Sequence, residues 1–318
     1  MATYFDIFGQ QVQYLSSDPS PSAEGQVWFN STTSVAKVVG FDTGSWSSGG
    51  VLPTGLYGNA GSGTVGAGFS IAGGTGPVPS YISATNNYNG TSWSGAPALP
   101  FSFSLGGAAG PQSASIAGGG DGNAPGAMAT YDGSSWSGIT AAGTNIYQMK
   151  FVGDKDNAFG CQAYPTSNGY TWNGSSWTTS PAAPVHAYNT SAVGDYNDAS
   201  FIGGYDIPPG TATTVHANWN GSSWTTRTAV PVGKGNGGTS SNLAPTSDFW
   251  LQADKTTTVT WDGTSWTSVG NMSTGRANGA SSGINSTSGF IAGGTAPPYT
   301  TATEEFTAGA AVQTITTS

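Results

Sequence analysis

Tyr88-Asn89-Gly90-Thr91-Ser92-Trp93 returns four more times along this chain. The copies are Tyr131–Trp136 (YDGSSW), Trp172–Trp177 (WNGSSW), Trp219–Trp224 (WNGSSW) and Trp261–Trp266 (WDGTSW). Asn-Gly and Asp-Gly take up positive φ readily and reverse the chain, while the flanking aromatics favour extended strands. Each copy therefore predicts a hairpin with a four-residue connection, its first aromatic facing its last Trp. Such a cross-strand pair adds about 0.5–1.5 kcal/mol beyond its buried area. Repeated along the chain, it would hold neighbouring sheets together.

A looser copy, Phe41–Trp46 (FDTGSW), precedes these five, and Phe306–Gly309 (FTAG) reads as a decayed one near the C-terminus. Trp46, Trp93, Trp136, Trp177, Trp224 and Trp266 are spaced by 47, 43, 41, 47 and 42 residues. Periods of that size suit one four-stranded propeller blade. A second signal lies upstream of most hairpins, an apolar stretch ending in two glycines: Ile71–Gly74, Ile116–Gly119, Phe201–Gly204 and Ile291–Gly294. Phe159–Gln162 (FGCQ) and Trp250–Ala253 (WLQA) stand in the same place without the glycine pair. Gly44–Gly49 has the form of an outer strand without its blade, and Gly270–Phe306 has inner strands without a Trp strand. Joining them would close a ring, and Ala310–Thr317 reads as a further strand that competes for or supplements that place.

An apolar strand, a glycine pair, a variable loop, an aromatic, a tight turn and a Trp, in that order, resemble kelch repeats over about residues 41–318. The resemblance implies a propeller in which the glycine pair ends the second strand of each blade. The expectation is an all-β chain, a single six-bladed kelch-like β-propeller over 41–318 behind a short N-terminal hairpin or arm over 1–40. Seven blades result if the N-terminal strands assemble another. Kelch propellers include enzymes and binding modules alike, so the resemblance fixes architecture and leaves activity open.

Composition agrees with strands and turns. Gly contributes 50 of 318 residues and only 7% are charged, so helix formers are scarce and long helices would be interrupted. The 11 Trp, 13 Tyr and 13 Phe supply core area that disordered segments lack. A net charge of −9 with 7 Lys and Arg argues against nucleic acid, whose phosphates need clustered cations. No membrane insertion is expected, since nowhere do ~18 apolar residues run together. Met1–Gln11 has no signal-peptide pattern, and Cys161 as sole cysteine excludes an intrachain disulfide.

Catalytic chemistry finds little purchase. Asp132-Gly133-Ser134-Ser135-Trp136 is similar to the Asp box of sialidases but lacks the residue between Asp and Gly. That family also needs three arginines, and only Arg227 and Arg276 are present. Galactose oxidase, another kelch-type enzyme, holds copper through Tyr and His. Here His186 falls in a loop and His216 in the strand leading to Trp219, which favours separate, solvated or packed roles. Cys161 reads as a small buried residue. Glycoside hydrolysis needs two opposed carboxylates, yet Glu24, Glu304 and Glu305 are the only glutamates and Asp132 and Asp262 serve turns. Asp121, Asp154, Asp156, Asp195, Asp198 and Asp206 match no calcium loop. No catalytic residue, metal or other cofactor is expected.

Recognition is expected in the variable loops opposite the hairpins. They include 76–81, 121–125, 164–168, 205–209 and 296–299, and within them Tyr81, Tyr164, Tyr205 and Tyr299 are the candidate binding residues. In the N-terminal segment, Gly25–Asn30 and Val35–Val39 predict a hairpin, with Ser16–Ala23 as a linker before it. The pattern SDPSPSAEGQVWFNSTT ahead of such a propeller resembles virion-associated proteins, tail appendages or fibres, of tailed phages from aquatic hosts. That resemblance implies a non-enzymatic virion component, present in multiple copies in a symmetric assembly. It would be held to other virion proteins by the arm and would bind a host-surface glycan or protein. A purely structural virion module and a carbohydrate-active propeller enzyme are the alternatives.

Overall fold

The computed structural model describes residues 12–20, 25–41, 43–76, 80–143, 146–161, 166–184, 187–206, 210–233, 244–296 and 299–315. Among these the regular elements are all strands. They group into two compact units, one comprising Met1–Gly44 with Ala308–Ser318 and the other Ser45–Thr307.

The larger unit consists of small antiparallel sheets, and apart from the two-stranded pairs Phe103–Ser104/Asp121–Gly122 and Ala187–Tyr188/Tyr205–Asp206, each described sheet carries one repeat tryptophan on its last strand. The Trp93 sheet orders Ala60–Thr64, Ala67–Gly74, Tyr81–Tyr88 and Trp93–Ala96. The Trp136 sheet (Gly107–Ala109, Ser115–Gly118, Met128–Tyr131, Trp136–Ile139) and the Trp177 sheet (Lys150–Gly153, Ala158–Cys161, Gly169–Trp172, Trp177–Ser180) repeat that order. So does the Trp224 sheet, built from Ser191–Asp195, Asp198–Ile202, His216–Trp219 and Trp224–Thr226. The Trp266 sheet has three described strands, Phe249–Gln252, Thr258–Trp261 and Trp266–Ser268. The glycine pairs fall at the end of second strands, as the repeat implies.

The hairpins form as their residues dictate. In each, the Asn or Asp side chain folds over the turn, its Oδ1 accepting the main-chain N–H groups two and three residues on. Asn89 accepts from Thr91 and Ser92 at 2.9 and 2.8 Å, and Asp132 from Ser134 and Ser135 at 2.8 Å. The Ser134 hydroxyl together with these main-chain bonds stabilises the carboxylate form and pulls Asp132 down to about 2, and main-chain bonds from Ser265 and Thr264 with their hydroxyls lower Asp262 likewise. The glycine that follows has φ of 87° in Gly90 and 94° in Gly133. Across every turn the first aromatic is paired with the last Trp: Tyr88 with Trp93 at 4.6 Å between ring centroids, Trp261 with Trp266 at 4.9 Å.

The tryptophans also act as staples between sheets. Trp93, Trp177, Trp224 and Trp266 each donate from Nε1 to a carbonyl just past the outer strand of the preceding sheet, Gly50, Thr140, Pro181 and Thr228, all at 3.0 Å. Between the sheets lie apolar clusters such as Phe69 and Ile71 with Tyr131 and Trp136, or Phe159 with Phe201 and Trp219. Sheet packs on sheet in chain order, and Phe290 under Trp93 links the last to the first. First strands approach so closely at two glycines that a side chain there is excluded. A Cβ on Gly61 would collide with the backbone of Ser281, and one on Gly107 would lie 2.9 Å from Lys150 Cα.

Closure occurs as expected, with one correction. The last sheet takes Ala280–Asn285, Ser288–Ala292 and Thr303–Thr307 from the C-terminal part and Ser45–Ser48 from the N-terminal part. The partner of Trp46 is Phe306, 5.3 Å away, rather than Phe41. Phe41–Trp46 is thus no hairpin copy. The two halves of that motif come from opposite ends of the chain, and Phe41 pairs with Ala310 in the smaller unit.

That smaller unit is a sheet ordered Gln13–Leu15, Val27–Asn30, Val35–Phe41 and Ala310–Thr314. The Val27–Asn30/Val35–Phe41 hairpin matches the sequence reading. The last strand does not join the closing sheet. It hydrogen-bonds along the open edge of Val35–Phe41, so a boundary at residue 40 leaves 308–318 on the wrong side. The described part of the Ser16–Ala23 stretch, residues 16–20, is more than a linker, because Asp18 within it organises the unit. It accepts from Trp28 Nε1 at 3.2 Å and Asn30 Nδ2 at 2.9 Å, and it pairs with Lys37 Nζ at 2.8 Å. Residues 21–24, including Glu24, lie outside the described residues.

Candidate functional site

Five segments lead into first strands, and each places one residue in the left-handed region two positions before its strand begins: Gly58, Leu105, Gln148, Asn189 and Asn278, with φ of 62°, 60°, 54°, 53° and 57°. Leu and Gln rarely adopt this conformation, which costs about 1–3 kcal/mol and tends to persist at functional sites. Gly58 N–H donates to the Asn278 carbonyl and Leu105 N–H to the Gly58 carbonyl, both at 2.7 Å, forming part of a belt. The belt surrounds a cavity of about 80 Å³ where the first strands converge. Its lining mixes main chain, the amides and hydroxyls of Asn59, Asn189, Asn278 and Ser281, and apolar groups such as Leu105 and Phe151, with Lys150 the single charged side chain.

Beside the cavity stands Tyr57, whose ring stacks on Tyr299 at 4.7 Å and 26°. A Cβ on Gly74 would collide with that ring, so the second glycine of Ile71–Gly74 makes room for it. Tyr81 pairs with Gly74, which in turn bridges to Tyr57. Burial raises the Tyr57 pKa, and Tyr81 and Tyr299 add to the rise. Of the four predicted binding tyrosines, Tyr81 and Tyr299 thus gather around Tyr57. Tyr81 also lines a neighbouring groove with Phe101 and Asn123. Tyr205 lies in another blade, in a two-residue strand paired with Ala187–Tyr188. Tyr164 lies outside the described residues.

The repeating sheets and their cyclic packing match a solved structure titled "Structure of YjhT", itself a kelch-type propeller. The TM-score is 0.60 at 14% identity, over 83% of this chain and 99% of that one. The larger unit has a β-propeller fold. No family model and no curated protein matches the chain. A propeller hosts many unrelated functions, so function has to be argued from the site.

Other titratable groups of the propeller are tied into its framework. Arg276 and Glu304 form a buried ion pair, with Glu304 Oε2 also accepting from Ser273 N and Oγ at 2.8 Å. Glu305 accepts from the Tyr88 hydroxyl, and burial together with that bond pushes Tyr88 up to about 12. Asp198 accepts from Asn218 and Thr246, and Asp154 caps its own turn through Asp156 and Asn157. Among the described residues no three His, Cys, Asp or Glu side chains converge as metal ligands would. Cys161 is buried in the Trp177 sheet, and burial pushes its thiol up to about 12, away from reactivity.

His216 packs edge-on against Trp261 at 5.0 Å and bonds to Ser200 Oγ at 2.9 Å; His186 lies outside the described residues. Burial, with help from the Arg227 charge, lowers the His216 pKa to about 4. The unfolded chain would take up this proton near 6.5 and the folded chain only near 4, so stability falls as pH falls through that window. Urea unfolding between pH 6.5 and 4 should lose up to about 3 kcal/mol from this source. His216→Phe should flatten that slope, and an unchanged slope would refute the assignment.

The sequence missed Tyr57 and the cavity belt. Tyr57 lies outside both repeat signals. The belt residues share a backbone conformation and no common side chain, and only Gly58, Asn189 and Asn278 are types that favour positive φ.

Proposed function

We infer that this chain is a non-enzymatic virion component whose six-bladed propeller binds a host-surface glycan through the face bearing Tyr57, Tyr81 and Tyr299. The observation that carries the binding role is the Tyr57–Tyr299 stack, next in the chain to Gly58, which lines the cavity. Stacked, partly exposed phenol rings beside amides and hydroxyls suit a sugar, which offers an apolar ring face and a rim of hydroxyls. Six repeat tryptophans, each on the last strand of its own sheet, support the reading of six blades. The segment that would supply a first strand to the Trp266 sheet includes residues 234–243, outside the described residues.

The virion assignment rests on the likeness of SDPSPSAEGQVWFNSTT to phage virion proteins, and the smaller unit supports it. Val12, Tyr14 and Val27 are exposed and alternate onto one face with Phe29. An exposed apolar face of this kind marks a docking surface, here for a neighbouring virion protein.

Purified particles labelled with antibody to this chain should carry it in several copies, and particles free of it would overturn the virion role. The isolated protein should adsorb to host cells and block infection. Tyr57→Ala and Tyr299→Ala should each weaken adsorption about tenfold or more, as loss of a central aromatic anchor does, with little change in melting temperature. Adsorption untouched by either substitution would place binding elsewhere. Particles that carry the chain while the isolated protein never adsorbs would favour a purely structural module.

A further inference from the structure

Lys150 opens the first strand of the Trp177 sheet, yet its ammonium reaches across to the preceding blade. There it donates to the Leu105 carbonyl at 3.2 Å and the Gly106 carbonyl at 2.6 Å. It makes no ion pair among the described residues. Asp121 is the one carboxylate that acts on it electrostatically, from beyond ion-pair distance. A half-buried cation without a counter-ion is poorly compensated. The cost shows in its acidity, since burial brings Lys150 down to about 8. An ammonium has three donors, and the two carbonyls use two.

Every other side chain lining the cavity is neutral, in a chain of net charge −9. The cavity lining therefore carries one isolated positive charge. Leu105, whose carbonyl holds the ammonium, is itself strained at φ 60°, so the framework is distorted where it positions this charge. The cavity has room for several waters, and for the acid group of a ligand entering from the Tyr57 side.

We propose that Lys150 makes this cavity a subsite for the acidic group, carboxylate or sulfate, of an anionic sugar. This rests on the reading of the Tyr57 face as glycan-binding and names the class of glycan. The acid group would replace water on the third ammonium donor and supply the missing counter-ion, while the sugar ring stays at the tyrosines.

The test titrates full-length protein with glucuronate, glucose 6-sulfate and glucose, followed by calorimetry or ligand-observed NMR. At least one acidic sugar should bind roughly tenfold or more tighter than glucose, the scale of a charge-assisted hydrogen bond. Which of the two prevails separates carboxylate from sulfate. Lys150→Met should abolish the preference and leave glucose binding as it was, while Lys150→Arg should keep most of it. Tyr299→Ala should weaken all three sugars together. Equal binding of acidic and neutral sugars, or a preference that survives in folded Lys150→Met protein, overturns the anion subsite and leaves the glycan reading standing. No binding of any sugar overturns both. If Lys150→Met does not fold, Lys150→Gln takes its place, and the ratio of glucuronate to glucose binding remains the deciding quantity.

Discussion

Trp219→Ala lowers the melting temperature by about 10 °C or more. Trp219 is 2% exposed, stacks on Phe159 at 4.7 Å with planes 5° apart, and closes its hairpin against Trp224 at 5.4 Å. Truncation removes the hairpin pair and part of the apolar layer between the Trp177 and Trp224 sheets in one step. Trp→Ala in a core costs about 3–5 kcal/mol, and in a domain of this size each kcal/mol shifts the melting point by roughly 2–4 °C. Thermal unfolding followed by near-ultraviolet circular dichroism checks the value. Trp224→Ala provides the contrast, since Trp224 is part-exposed and its removal leaves less of a void. A larger loss for Trp224 than for Trp219 would contradict the staple account, in which the first aromatic is the buried member and the second the bridge to Pro181.

Glu304→Leu should destabilise by about 3–5 kcal/mol, because it strands the buried Arg276 guanidinium without its counter-charge. Arg276 is fully buried and also donates to the Ala302 carbonyl at 2.7 Å. Glu304 ties down the loop before the last sheet through Ser273 and Thr274. Removing both charges together in Arg276→Leu/Glu304→Leu should recover part of the loss, since neither is then left unpaired. Denaturant unfolding of both single variants and the double variant measures this. A double variant as unstable as the sum of its parents would mean that the pair carries no coupling. The same geometry accounts for two residues that enzymatic readings of the chain would want free. Arg276 and Glu304 face each other inside the framework and not the cavity.

The hairpins were legible because everything that makes them is contiguous. Asn89 needs only Thr91 and Ser92 to close its turn, and Tyr88 finds Trp93 by strand register alone. Period and ring closure followed from counting those units and from an outer strand, Ser45–Ser48, stranded at one end of the chain. The loose copy at Phe41 is a hairpin in sequence only. Hydrogen bonding along an open strand edge is indifferent to sequence distance, so Phe306 could take the place opposite Trp46 and leave Phe41 to pair with Ala310. For the same reason Ala310–Thr314 could read as a strand without revealing its partner.

The sequence by itself determined the repeat, the hairpin chemistry and the propeller class, since these depend on local φ preferences and on side chains a few residues apart. Only the tertiary structure decided that Ala310–Thr314 pairs with Val35–Phe41 and which tyrosines meet. It also decided that Lys150 reaches the Leu105 carbonyl in the cavity lining. Those features bring together segments dozens of residues apart whose likeness lies in backbone conformation. A left-handed φ shared by Gly, Leu, Gln and Asn is hinted at by Gly58, Asn189 and Asn278 and has no sequence signal at Leu105 and Gln148.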